Sequence, residues 1–356
     1  GAVSAVASVA YSSHRKFQPT PLMLKRQSFL QRLKEATPHP ERCQRGPGRA
    51  ISMGQLSEFH QHFWGHILDR DMRYVCDNLI KPLTSETKLS YAELAGPKTV
   101  EWFVSHFWGG EFREFVSSLQ NHAENEALSS MRPQSSEDMT FWVCTFSNNQ
   151  WEVDEELGHG DPFQSSFYFA LQSPRCQGTC MVIDHDALPL KRSWCLFEVL
   201  QTSALAKERP DFAGLLLCTS TGVLQHGGTG VDAAVSVAKE LSVLSLADAT
   251  ATNPKDKEMI DDCVRRMSGG FRAVNRFVRN SIKDALSVTH DSFQADFQKL
   301  VSALDNTLAS ERCGGESAGG AVQNIGNWAR TERSSGSSSF SGSVMVEYGY
   351  DADDAV

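Results

Sequence analysis

Residues 178–200 read GTCMVIDHDALPLKRSWCLFEVL, and they decide the fold. The segment from Thr179 to Ile183 is a short apolar run, typical of a buried strand, and it ends in Asp184. From Ser193 the pattern becomes helical, and Glu198 is a carboxylate between apolar neighbours. A buried strand followed by a helix is the repeating unit of parallel sheets. Glu198 is therefore the first candidate for chemistry.

The same alternation of apolar runs and helical patterns continues on both sides of this segment. It predicts strands over 99–104, 140–146, 178–184 and 212–218, and a fifth, edge strand over 241–246. We therefore expect an α/β protein with a doubly wound parallel sheet. Ligands of such sheets bind beyond the carboxyl ends of the strands. The residues predicted at those ends include Ser105, His106, Asn148 and Asp184.

Composition divides the chain into five parts. Residues 1–50 are basic and indicate a disordered arm or a targeting segment, and residues 313–356 are rich in Gly and Ser and predict a disordered tail. Between them, the patterns predict a helical flank over 51–97, the α/β domain over 98–250 and a second helical flank over 255–310.

Charge and cysteine usage narrow the class of protein. Residues 1–50 carry a net charge of +7, whereas the whole chain carries −9, so the remainder holds −16. An acidic body argues against nucleic acid as a partner, and no apolar run reaches the ~20 residues that span a bilayer. The nine scattered cysteines form no CxxC pair, which favours reduced core thiols and a cytoplasmic protein. Targeting to a plastid or mitochondrion through the basic segment is the alternative.

Three other motifs are weaker candidates. His62 and His66 have the spacing that places two imidazoles on one helix face, with Asp69 nearby, but polar residues flanking a packing helix explain them better than a metal site. The sequence Gly227-Gly228-Thr229-Gly230 lacks the Lys-Ser/Thr of a phosphate loop, so we interpret it as a plain loop.

Cys195 could act as a nucleophile with His106 or His185 as its base. Its apolar neighbours instead favour a small side chain packed in the core. We therefore expect no bound metal, and Glu198 remains the leading catalytic candidate.

Three phrases together resemble the TIR domain. They are FVSHFWG at 103–109, WVCTFSNNQW at 142–151 and SWCLFE at 193–198. Within that superfamily the chain looks most like the divergent TIR-like proteins of dinoflagellates and related algae. The resemblance covers about residues 97–220, and the SWCLFE match is its most specific part. It implies a flavodoxin-like, doubly wound parallel sheet with helical flanks at both ends.

The resemblance implies a signalling module that associates with itself or with other TIR-like proteins, and it implies NAD as a substrate rather than a cofactor. Glu198 matches the glutamate with which some TIR domains cleave NAD between nicotinamide and ribose, and Trp194 would line the same pocket. Two features depart from the family: the loop 107–110 is aromatic, and the loop from Glu152 to Asp161 is acidic, which is expected to repel a pyrophosphate. The alternative function is a non-catalytic structural or interaction subunit of a larger assembly.

Overall fold

A six-stranded mixed sheet lies at the centre of the fold in the computed structural model, which describes residues 18–129, 135–184, 186–226, 231–243 and 245–312. Its strands are β1 (Ile51–Ser52), β2 (Trp102–Ser105), β3 (Thr140–Val143), β4 (Gly178–Val182), β5 (Leu215–Thr219) and β6 (Gly222–Val223). They lie in the order β1-β3-β2-β4-β5-β6. The four inner strands are parallel, while β1 and β6 pair antiparallel at the two edges. The predicted α/β class is confirmed.

Helices cover both faces of the sheet. In chain order they are α1 (Pro21–Ala36), α2 (Met53–Ile67), α3 (Met72–Val75), α4 (Lys81–Thr84), α5 (Tyr91–Ala95), α6 (Phe112–Ser129), α7 (Cys144–Ser147), α8 (Val153–Glu156), α9 (Ser166–Leu171), α10 (Ser193–Glu208), α11 (Val231–Val243), α12 (Pro254–Arg266) and α13 (Gly270–Arg312). A π-helical turn, Cys76–Ile80, connects α3 to α4.

Alternate residues of each strand enter two separate hydrophobic cores, because successive side chains of a strand point to opposite faces. Phe103 and Trp142 stack on one face, with ring centroids 5.2 Å apart, under α9, α10, α12 and α13. Trp102 and Phe141 face the opposite core, which contains residues of α1, α2 and α6. Helix α10 is apolar on most sides because it lies between the sheet and the outer helices α12 and α13.

The edges of the sheet differ from the sequence prediction. Residues 241–243 complete helix α11 instead of starting an edge strand, and the edges are formed by β1 and β6. An apolar run this short fits a helix end as well as a strand. Strand β3 ends at Val143, where the Ser147 hydroxyl accepts the Val143 backbone N–H and begins a helical turn.

Part of the basic amino-terminal segment, for which the sequence predicts a disordered arm or a targeting segment over 1–50, is described by the structure, and residues 18–50 are folded there. Helix α1 packs on α2, with Phe29 fully buried. Buried Arg49 pairs with Glu93 at 3.1 Å and with Glu156 at 2.6 Å. Residues 1–17 and the predicted tail 313–356 lie outside the described residues.

The basic amino-terminal segment contacts the acidic loop that begins at Glu152. Arg42 pairs with Glu152, and Arg45 donates to the backbone carbonyl of Glu155. Arg49 reaches Glu156 in the same acidic loop. The basic segment therefore neutralises part of the acidic loop.

The predicted flank 51–97 is continuous with the α/β domain. It supplies β1, and its helix α2 buries Phe59 and Phe63 in the core under the sheet. Within the described residues, no helix is both long and apolar enough to cross a bilayer.

Candidate functional site

The centre of the candidate site is a hydrogen bond between Ser105 and Glu198. Ser105 is the last residue of β2, and Glu198 lies on the second turn of α10. The Ser105 hydroxyl donates to Glu198 Oε2 at 2.5 Å. The fold thus brings together two of the residues that the sequence placed in the site.

The position of this pair follows from the strand order. The chain leaves β2 for β3 on one side and returns to β4 on the other side, so the order reverses next to β2. Crevices at such reversals are where open α/β sheets bind ligands. Ser105 and Glu198 occupy this crevice.

The Glu198 carboxyl is an unusually weak acid. Burial disfavours its charged form and raises the pKa of Glu198 to about 8, although the Ser105 hydrogen bond lowers this pKa in part. The residue as a whole is only partly buried, because it lines a narrow cavity of ≈ 40 Å³. A carboxyl with a raised pKa in a cleft is typical of a functional group.

His106 and Asp184 line a second cavity, of ≈ 160 Å³, at the carboxyl ends of β2, β4 and β5. Burial lowers the pKa of His106 to about 4, so its imidazole is neutral at physiological pH. Asp184 Oδ1 accepts the backbone N–H groups of Asp186 and Leu188, and this shapes the loop after β4. Asp184 therefore has a structural role as well as a place in the cavity wall.

The two thiols near Glu198 are poor nucleophiles. Burial raises the pKa of Cys144 to about 12, and it raises the pKa of Cys195 well above its ordinary value. Trp108 Nε1 donates to Cys144 Sγ at 3.2 Å, and Cys195 Sγ lies 3.5 Å from the His106 carbonyl oxygen. These contacts support the packing interpretation of Cys195; His185 lies outside the described residues.

Trp194 and Asn148 occupy different surroundings. Trp194 lines the ≈ 40 Å³ cavity with Glu198, and its Nε1 donates to Asp256 Oδ2 at 3.0 Å. Asn148 is buried at the end of α7 and is part of neither cavity wall in the described part of the chain. The structure therefore groups Ser105, Glu198 and Trp194, and separates Asn148 from them.

Sequence reasoning missed the two arginines of the site. Arg73, from α3, and Arg192, just before α10, both line the cavity that holds Glu198. Their guanidinium carbons lie 5.6 Å and 5.8 Å from the centroid of the Phe107 ring, within the range of cation–π contacts. The aromatic loop 107–110 thus holds two positive charges, but Arg73 lies outside the predicted α/β domain, where no local signal marked it.

Phe107 also separates the spaces around the site. Its side chain lines the ≈ 40 Å³ and ≈ 160 Å³ cavities and a wider groove of ≈ 560 Å³ that contains Lys191 and Glu240. A Cβ added to Gly109 would lie 2.5 Å from the Phe107 ring, so a larger residue at position 109 would have to displace that ring. Phe107 is therefore a shared wall of all three spaces.

His62 of α2 has a packing role. His62 Nε2 lies 3.0 Å from the Lys25 carbonyl oxygen, and its ring lies 4.8 Å from that of Phe29. His62 thus connects α2 to α1, in agreement with the packing interpretation. The loop 227–230 lies outside the described residues.

Comparisons with known proteins identify no relative. No family model matches the chain, and no significant match was found among curated proteins or among solved structures.

Proposed function

We propose that the chain is a TIR-like signalling module with a flavodoxin-like sheet, and that it hydrolyses NAD through Glu198. The observation that carries the proposal is the hydrogen bond from Ser105 to Glu198, which holds a weakly acidic carboxyl where the strand order reverses. The parallel strands lie in the order second, first, third, fourth along the chain. This order agrees with the first four positions of the flavodoxin-like order 2-1-3-4-5, in which ligands bind between the first and third strands, and it supports the proposal.

The reaction converts NAD and water into ADP-ribose, nicotinamide and a proton. The bond between the ribose carbon and the nicotinamide nitrogen breaks, and its electron pair stays on the nitrogen. Positive charge then develops on the ribose, and a nearby carboxylate stabilises that charge or traps it, as in glycoside hydrolysis. Glu198 supplies this carboxylate, and water adds to the ribose carbon and releases the proton.

The ionisation of Glu198 is tied to substrate binding. With a pKa of about 8, the carboxyl is mostly protonated at neutral pH in the free protein. Bound NAD brings the positive pyridinium ring to the site, and an opposite charge lowers the pKa of a carboxyl. Binding therefore favours the reactive form.

Arg73 and Arg192 supply the positive charge that an anionic pyrophosphate needs. The acidic loop is less repulsive than its composition indicates, because Glu152 and Glu156 pair with Arg42 and Arg49. The two cavities that contain Glu198 and Asp184 are smaller than the ~300–1,000 Å³ of typical ligand pockets, whereas the neighbouring groove of ≈ 560 Å³ is within that range. Displacement of the Phe107 ring provides the additional space.

Self-association is supported by a separate feature, an exposed apolar stripe on α13. Phe293 and Phe297 are 54% and 57% exposed, and Leu304 is 58% exposed. Together with the partly exposed Leu300, these residues are spaced four, three and four positions apart. This is the spacing of the apolar residues that form the seam of a coiled coil. A second copy of this chain presents the same seam, so we assign the stripe to a homodimer.

The test of the enzymatic proposal is nicotinamide release from NAD by the purified full chain. We expect release by wild type and a loss of at least ~100-fold in Glu198→Gln, which keeps the shape of the side chain but cannot become an anion. Glu208→Gln is the matched control, because Glu208 is an exposed glutamate at the far end of the same helix. Absence of release by wild type, or equal activity in Glu198→Gln, would favour the non-catalytic interaction subunit instead.

A further inference from the structure

Two thiols and an imidazole form a buried cluster beneath the sheet, on the face opposite to α10. His122 comes from α6, Cys180 from β4 and Cys218 from β5. Their potential ligand atoms all lie within 4.8 Å of one another, and the three residues are fully buried. Three elements that are distant in sequence therefore converge on one point.

The register of the sheet explains why the two thiols meet. Cys180 pairs with Leu216, and Cys218 pairs with Val182, so the cysteines are diagonal neighbours on adjacent parallel strands. Such neighbours share a face of the sheet. Both cysteines belong to the core that α6 covers.

His122 is the observation that points to a ligand. Neither ring nitrogen has a hydrogen-bond partner, and the side chain is 0% exposed. Its ring contacts the edge of Trp102, with centroids 4.3 Å apart. Leaving a buried polar group without a partner destabilises the folded protein, and a bound ion would remove that cost. Burial lowers the pKa of His122 to about 3, so the imidazole is neutral, the form that binds metals.

We propose that His122, Cys180 and Cys218 bind a structural Zn²⁺ ion. Zinc prefers nitrogen and sulfur ligands and binds thiolates. Two thiolates and one neutral imidazole balance the charge of a divalent ion, whereas a monovalent ion such as Cu⁺ would leave a net negative charge in an apolar interior. The proposal is independent of NAD cleavage.

The spacing requires only a small contraction of the cluster. Zn–S bonds of about 2.3 Å and Zn–N bonds of about 2.0 Å place tetrahedral ligand atoms about 3.5–3.8 Å apart. The present upper limit of 4.8 Å exceeds this by about an ångström. Side-chain rotation of the thiols and the imidazole covers such a difference.

His226 lies beside this cluster but outside the group of three converging ligand atoms. Its ring stacks on that of His122 at 29°, with centroids 6.4 Å apart, and its Nε2 lies 3.7 Å from Glu126 Oε1. Polar groups around the ligands of a zinc site orient those ligands and tune the affinity for the ion, and His226 with Glu126 would act in this way. The His226 side chain is 30% exposed, which gives the ion a path to the cluster.

Cobalt is the direct probe, because Co²⁺ bound to thiolates gives a sulfur-to-metal charge-transfer band in the near ultraviolet. We would titrate the reduced full chain with Co²⁺ and then displace it with Zn²⁺. Wild type should bind one equivalent and show the band. The double variant Cys180→Ala with Cys218→Ala, and His122→Leu, should lose it, whereas His226→Ala should retain the band with at least ~10-fold weaker affinity. Cys176→Ala is the matched control, since Cys176 is equally buried but lies outside the cluster.

His122→Leu separates loss of metal from loss of folding. This substitution removes the unsatisfied imidazole, so the metal-free variant should melt no lower than metal-free wild type. Zn²⁺ should raise the melting temperature of wild type and leave that of His122→Leu unchanged. The proposal is overturned if wild type shows no charge-transfer band, if the double cysteine variant keeps the band, or if Cys180 and Cys218 are joined by a disulfide in protein isolated with its thiols blocked.

Discussion

Ser105 and Glu198 are separated by 93 residues in sequence, and their side chains lie 2.5 Å apart. The serine ends the first parallel strand, and the glutamate belongs to the helix that follows the third parallel strand. Since these two strands are neighbours in the sheet, their carboxyl ends meet. The hydrogen bond therefore couples the acidity of Glu198 to the end of β2.

Ser105→Ala should make Glu198 a still weaker acid. The serine hydrogen bond lowers the pKa of Glu198, so its removal raises that pKa above the present value of about 8. If the carboxylate is the reactive form, NAD hydrolysis by wild type rises as pH increases through about 8. In the variant this rise should move to higher pH. The measurement is kcat/KM for nicotinamide release between pH 6 and pH 10.

Ser203→Ala is the control for this experiment, because Ser203 is a buried serine of the same helix that lines neither cavity of the site. An unchanged pH profile in Ser105→Ala would contradict the coupling of the serine to the glutamate.

Glu198→Gln should change how stability depends on pH, whether or not the protein is an enzyme. The folded-state pKa of Glu198 is raised from the ordinary 4.5 to about 8, so folding favours the protonated carboxyl. Its stabilising contribution is complete below the ordinary pKa and is lost as pH rises through about 8. A glutamine at position 198 does not titrate, so the variant does not lose stability in this way as pH rises. The variant should gain stability relative to wild type between pH 5 and pH 9, on the order of a few kcal/mol.

Urea unfolding at several pH values measures this difference. The exposed Glu208→Gln variant should follow wild type across the whole range. A constant difference between Glu198→Gln and wild type would mean that the carboxyl is not an unusually weak acid in the folded protein.

Phe107→Ala should increase access to Glu198. The ring lines all three spaces around the site, and its removal should join them. We expect a several-fold lower KM for NAD, since a merged space has the volume of a typical ligand pocket. Gly109→Ala should act in the same direction, because the added Cβ displaces the ring. Phe169→Ala is the control, because Phe169 lies outside these spaces, and it should leave the KM for NAD unchanged. If Phe107→Ala and Gly109→Ala both raise this KM, Phe107 contributes to substrate binding instead of blocking access.

The sequence allowed the α/β class to be predicted because the four parallel strands are long apolar runs with clear helical patterns between them. The two-residue strands β1 and β6 are too short to show a period. Glu198 could be selected because a carboxylate stands out in an apolar helix. Arg73 could not be selected from the sequence, because the fold brings it to the site from outside the predicted α/β domain. The cluster of His122, Cys180 and Cys218 depends on strand register and helix packing, which residue spacing alone does not reveal.

The apolar stripe of α13 should drive dimer formation by the full chain. Phe293 and Phe297 stack on each other with centroids 6.4 Å apart, and both are more than half exposed. A face of this kind is costly in water and stabilises a second helix that carries the same pattern. Sedimentation equilibrium should therefore show a dimer that dissociates on dilution.

Phe297→Asp places a charge in the centre of this seam, where burial of an unpaired carboxylate opposes association. We expect its dimer to dissociate at a concentration at least ~10-fold higher than that of wild type. Leu128→Asp is the matched control, because Leu128 is an 85% exposed leucine on α6, away from the stripe. It should leave the dimer unchanged. If wild type stays monomeric at the highest concentration, or if Phe297→Asp dimerises as wild type does, the stripe does not mediate self-association, and a signalling role through this helix would require a different partner.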